Sequence, residues 1–127
     1  MQISTHQKIN QQLCGKPLEV KEGYSRVELA ADAGMAVDET GLVHGGFIFG
    51  QADYAAMIAV NHPNVVLAGA NVKFLKPVKA GDTVIAEAQV TAVEKKKHTV
   101  EVAVTRDNEK VFEGTFICFV LEKHVLS

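Results

Sequence analysis

Residues 46–62, GFIFGQADYAAMIAVNH, limit the possible folds more than any other part of the chain. The run has almost no polar side chains, is rich in alanine, and ends at the stop signal His62-Pro63-Asn64. It is too long for a strand and reads as a helix of about 16 residues, about 24 Å long at 1.5 Å per residue. A helix that is apolar nearly all round must be buried nearly all round. A flat sheet covers only one side of it, whereas a strongly curved sheet can wrap it. The remaining sequence supplies strands: 18–31 before the helix, then 64–76, 82–94, 97–107 and 110–122 after it. Turns at 77–82 (PVKAGD), 94–97 and 106–109 separate the last four. Thr5 and Gly15 bracket a short N-terminal helix, and 32–45 form one long loop of the kind that carries function. The expected architecture is a single α+β domain over residues 1–127, a curved antiparallel sheet gripping one long central helix.

The last strand, VFEGTFICFVL, is apolar on both faces. Phe116, Cys118 and Val120 point one way, and Ile117, Phe119 and Leu121 the other. An antiparallel strand normally keeps one wet face, so two covers are needed. The helix is one. The other is a second copy of the chain or, alternatively, a loop. A homo-oligomer is therefore expected, a dimer at least and a tetramer by preference.

Composition removes several classes of function. Thirteen Lys and Arg against 15 Asp and Glu leave a net charge of −2, unlike a protein that lives on phosphate contacts, so no nucleic-acid partner is expected. No apolar run approaches the ~20 residues of a membrane helix, and MQISTHQKINQQLCG has no apolar signal region. Cys14 and Cys118 then read as reduced thiols of a cytoplasmic protein without a membrane partner. Serines at 4, 25 and 127 form no Gly-x-Ser-x-Gly elbow. The histidines at 6, 44, 62, 98 and 124 show no metal-ligand spacing, so no metal is expected. The Lys95–Lys97 run is either a solvated turn or a phosphate contact.

One charge interrupts the apolar helix. Asp53 must face water, a partner or a ligand, because burying an ionised carboxylate is costly. Gly46, Gly50 and Asp53 share one helical face, bare apart from the carboxylate. That face suits a base or nucleophile held in a narrow slot, or else a solvated notch at a subunit contact. His44-Gly45-Gly46 stands where the helix begins. The first amides of a helix are free and its dipole is positive there, which suits an oxyanion. His44 itself reads equally as a loop hydrogen-bonder or a site residue.

His44-Gly45-Gly46-Phe47-Ile48-Phe49, Ala52-Asp53 and the later Pro77-Val78-Lys79-Ala80-Gly81-Asp82 resemble the hotdog-fold thioesterase superfamily. The similarity runs over roughly residues 16–122 and is greatest to the PaaI-type branch, which typically has Asp nine positions after the His of His-Gly-Gly, the spacing of His44 and Asp53. The resemblance implies an acyl-CoA thioesterase whose site is shared between two subunits. Asp53 would be general base or nucleophile, and the Gly45 amide of the other chain would hold the oxyanion beside His44. Coenzyme A would be part of the substrate, with no separate cofactor. Phe47 and Met57 would line an apolar pocket, with Asp38, Gly46, Asn71 and Lys73 also contacting substrate. The CoA phosphates would meet Lys73, Lys76, Lys79, Arg106 or the Lys95–Lys97 turn. Two positions depart from the pattern. Asp38 replaces a frequent Asn, and Leu67 or Ala68 stands near a usual hydroxyl, with Asn71 the closest polar group.

Phe49-Gly50-Gln51-Ala52-Asp53 and Val111-Phe112-Glu113-Gly114 are also similar to the ligand domain of FapR-type regulators. Those regulators bind acyl-CoA without hydrolysing it and carry Asn where this chain has Asp53. The alternative expectation is thus a non-catalytic acyl-CoA binding or sensing protein.

Overall fold

A computed structural model describes residues 1–127. The elements in chain order are α1 (Gln11–Cys14), β1 (Lys16–Lys21), β2 (Tyr24–Ala30), a 3-10 turn (Ala33–Met35), α2 (Gly45–Val60), β3 (Val65–Phe74), β4 (Thr83–Glu94), β5 (Lys97–Arg106) and β6 (Glu109–Val120). The apolar run is one helix, as its composition requires. Asn61 ends it in the left-handed conformation, φ 53°, with its amide donating to Met57 O.

Six strands form one curved antiparallel sheet in the order β1-β2-β4-β5-β6-β3. The small side chains of Ala52, Ala55, Ala56 and Ala59 let α2 lie close on the sheet, against Val27, Val84, Val100, Phe112 and Phe116. Two polar side chains stitch helix to sheet inside this core. Gln51, 0% exposed, donates from Nε2 to Val27 O (3.1 Å) and Val84 O (3.0 Å). Ser25 Oγ donates to Ala55 O at 2.6 Å.

Two local expectations are corrected. Residues 18–31 are not one strand but a hairpin, in which Glu22-Gly23 turns the chain with Gly23 at φ +73°. Glycine adopts that backbone without a Cβ clash, and β1 then pairs back on β2. The N-terminal helix is a single turn capped by Asn10, whose carboxamide oxygen accepts from the Gln12 and Leu13 amides. Thr5 is instead buried with its hydroxyl 2.8 Å from the His6 ring.

The long loop is tied to the 77–82 turn. Val43 N donates to Val78 O and Ala80 N to Gly41 O, each at 2.8 Å, and Leu42 bridges Lys79. On β6, Phe112, Phe116 and Cys118 are buried under the helix, whereas Ile117 and Phe119 on the opposite face are only half-buried. No helix is long and apolar enough to cross a membrane.

Candidate functional site

The start of α2 is held by the loop before it. His44 N donates to Met35 O at 2.9 Å, which fixes the residue in an extended conformation, φ −62°, ψ 129°. Its Nδ1 then accepts from Gly46 N at 3.0 Å, so a neutral His44 carries its proton on Nε2. Histidine thus serves as the helix cap. The Gly45 amide, one position earlier in the first turn, has no acceptor within the chain. It is a free donor at the positive end of a 16-residue helix. Phe74 explains why residue 45 is glycine: a Cβ there would lie 2.9 Å from the ring's Cε1.

Two turns further on, Asp53 sits half-buried on the stripe it shares with Gly46 and Gly50. Nothing lies within 4 Å of where a Cβ on Gly50 would be, so the stripe is open there in the single chain, whereas at Gly46 the His44 ring lies 3.4 Å from the same point. One carboxylate oxygen of Asp53, Oδ1, is buried without a hydrogen-bond partner. Burial alone pushes the carboxyl up to about 6, with no cation beside it to restore the charge. Two thiols lie near enough to feel it. Cys118 is pushed up to about 12 by its own burial and then by Asp53, and Cys14 is raised by the same two causes. Neither cysteine is therefore a thiolate nucleophile near neutral pH.

The other expected site residues scatter. Asp38 lies on the exposed loop, where its Oδ1 accepts from Thr40 Oγ1 (2.6 Å) and Thr40 N (3.0 Å). Those bonds hold its carboxyl below the usual range. Phe47 is half-buried with its ring edge-on to His44, centroids 6.1 Å apart. Met57, 1% exposed, packs in the core and faces no opening of the single chain. Asn71 and Lys73 are exposed on β3 and line a charged cleft with Glu87, Glu101 and Lys110, separate from the helix N-terminus.

Among the expected phosphate-binding cations, several are already engaged. Arg106 pairs with Asp82 at 3.1 Å, Lys76 with Glu109 at 2.9 Å, and Lys96 with Glu122 at 3.1 Å. Lys73, Lys79, Lys95 and Lys97 make no ion pair. No three His, Cys, Asp or Glu side chains converge as metal ligands.

Sequence reasoning missed an apolar groove of about 350 Å³ beside Gly45. Leu42, Ile48, Phe74, Val78 and Val111 line it, and they come from separate segments of the chain, so no local pattern could reveal it.

A family model described as the thioesterase superfamily matches residues 40–113, which include His44, Gly45, Asp53 and the PVKAGD turn. The chain belongs to the thioesterase superfamily. The α+β architecture is that superfamily's hotdog fold. Among solved structures, a mutant of the phenylacetic acid degradation protein PaaI from Thermus thermophilus superposes with a TM-score of 0.79. It is 28% identical, and the alignment covers 86% of this chain and 95% of that one. A transcription factor named FapR from Caldanaerobacter subterraneus is 34% identical over 106 residues, 84% of this chain and 52% of that protein. A protein of Aquifex aeolicus named methylthioribose-1-phosphate isomerase is 58% identical over 121 residues, 95% of this chain and 26% of that protein. The chain thus spans about half of the FapR relative and about a quarter of the Aquifex one.

Proposed function

We propose that this member of the superfamily hydrolyses acyl-CoA thioesters, with Asp53 as the base or nucleophile and the Gly45 amide as the oxyanion donor. The observation that carries this reading is the presence on one face and one end of α2 of a half-buried carboxylate whose Oδ1 has no partner and a helix-terminal N–H without an acceptor; the third unsatisfied group of the helix, Gln51 Oε1, belongs to a side chain sealed in the core. Asp53, ionised above about pH 6, takes a proton from a water whose oxygen attacks the thioester carbonyl carbon, or attacks that carbon itself. The oxygen of the tetrahedral intermediate takes up negative charge, which the Gly45 N–H and the helix dipole stabilise. Collapse breaks the C–S bond and the thiolate leaves, to be protonated to coenzyme A by the proton Asp53 took from the water; where Asp53 is itself the nucleophile, a water then cleaves the acyl–Asp53 anhydride, freeing the acid and supplying that proton. Water is consumed, a carboxylic acid and a free thiol form, and no further cofactor is needed.

The two groups belong to different subunits in this reading. They stand eight residues apart on one straight helix, about 12 Å at 1.5 Å per residue. A reacting carbonyl has to lie ~3 Å from both. A second copy, laid along the α2 face that is open at Gly50 and carries Asp53, brings its own Gly45 to this Asp53. Lys73, Lys79, Lys95 and Lys97 are the cations free to meet CoA phosphates.

The second reading, acyl-CoA binding without turnover, is favoured by the similarity to the FapR transcription factor. Asp53 separates the two, since a carboxylate can act as a base and the amide of the regulators cannot. The test is release of free thiol from a panel of aryl- and alkyl-CoA thioesters. Turnover of at least one supports the enzyme, and binding throughout without thiol release supports the sensor.

A further inference from the structure

The groove beside Gly45 has features that the proposed reaction alone does not explain. Leu42, Phe74 and Leu75 are large apolar residues that are 40%, 56% and 43% exposed, and all three border this one groove. Such a concentration of exposed apolar surface marks a contact site. One wall is the first turn of α2, with Gly45 and Ile48, so the groove adjoins the residue that carries the free amide. The opposite wall is the segment 74–78 at the head of the PVKAGD turn.

That outer wall has little regular structure of its own. Pro77 has no N–H, so its carbonyl is its one backbone tether, and Arg106 Nη1 donates to it at 2.7 Å. The same nitrogen donates to Asp82 Oδ2 at 3.1 Å, and Asp82 Oδ2 also accepts from Lys79 N at 2.8 Å. One guanidinium, projecting from the end of β5, therefore braces both ends of the turn. Arg106 and Asp82 side chains are 24% and 29% exposed, which shields the pair from much of the solvent. Arg106 was a candidate for a CoA phosphate; the structure gives it this structural work instead.

We propose that the groove receives the acyl group of the thioester and that Arg106, as a positioning residue, limits the acyl length it accepts by holding the outer wall in place. The proposal rests on the reading of Gly45 as the place where the thioester carbonyl sits. With the carbonyl oxygen at the Gly45 amide, the acyl chain runs between Ile48 and Val78 towards Leu42 and Leu75. The wall at Pro77 and Val78 then determines where the chain stops. A mostly apolar groove of about 350 Å³ suits aryl or short to medium alkyl groups, and its one charged lining residue, Lys76, is already paired with Glu109.

The test uses the full chain and unreactive CoA thioethers carrying straight alkyl groups from ethyl to dodecyl, titrated by calorimetry. The wild type should gain affinity with each added methylene until the groove is full, and then lose it sharply. Arg106→Gln should move that break to longer chains and change discrimination across it by about tenfold, the scale of a misfitted methylene. Arg106→Lys, which keeps the charge but not the fork, should recover only part of the wild-type break. Phe74→Ala, at the β3 end of the same wall and away from the Pro77–Arg106 bond, opens space without touching the brace and should also move the break. Breaks that stay at the wild-type length in both Arg106→Gln and Phe74→Ala, with cooperative melting intact, would overturn the inference while leaving acyl-CoA recognition standing. Failure of every thioether to bind the wild type would overturn the acyl-CoA reading itself.

Discussion

Asp53 is held in a form that favours its proton, and both its chemistry and its effect on stability follow from that. Its carboxyl is raised from 3.8 to about 6 by burial, so the folded chain binds the proton more tightly than the unfolded one. The fold is favoured below pH 4 and loses that advantage as pH rises through about 6. Asp53→Asn should therefore stabilise the protein by about 3 kcal/mol at pH 8, with the gain nearly gone by about pH 3; urea denaturation at the two pH values measures this. The same substitution removes the base and should lower kcat by about 10²–10⁴ while thioether affinity stays within severalfold. In the wild type, the rate should climb through an acid limb near pH 6, seen in a pH profile of kcat/KM. The Gly45 amide can be removed without removing the helix, because proline is accepted at a helix's first position and His44 already has the extended conformation proline requires. The exposed Phe74 ring must swing aside to admit the proline ring, and Gly45→Pro should then cost about 10²–10³ in kcat.

At the scale of elements, α2 was legible because its composition admits one solution. Its rule-breaking residues, a charge and a glycine pair in an apolar helix, pointed to Gly45 and Asp53. The β1–β2 hairpin was not legible: Glu22-Gly23 is a weak turn signal among charged neighbours, and only the pairing of Lys16 with Glu28 reveals it. Asn10 outcompeted Thr5 as cap because it stands immediately before a turn whose amides it can reach. The brace from Arg106 and the groove beyond it join residues far apart in sequence, which periodicity cannot report. Gln51 shows the same non-local logic inside the core. Gln51→Leu removes two hydrogen bonds to strand carbonyls from a side chain sealed in the core, and should lower stability by about 1–3 kcal/mol, read as an earlier urea midpoint at unchanged slope.

The whole molecule, under the proposed mechanism, is a dimer at least. The open α2 face at Gly50 and the half-buried outer face of β6 are surfaces a second copy would cover. Light scattering at micromolar concentration should show no monomer. A sharper measurement tests the shared site itself: mixing of two inactive variants, Asp53→Asn and Gly45→Pro, by co-refolding. In a two-fold dimer of one variant with the other, one site keeps both its Asp53 and its Gly45 amide, and the second keeps neither. Random pairing makes half the dimers mixed, so the mixture should regain about a quarter of wild-type thioesterase activity. A mixture that forms mixed dimers, shown by mass spectrometry of differently tagged chains, yet stays as inactive as its parents would contradict a site shared between subunits.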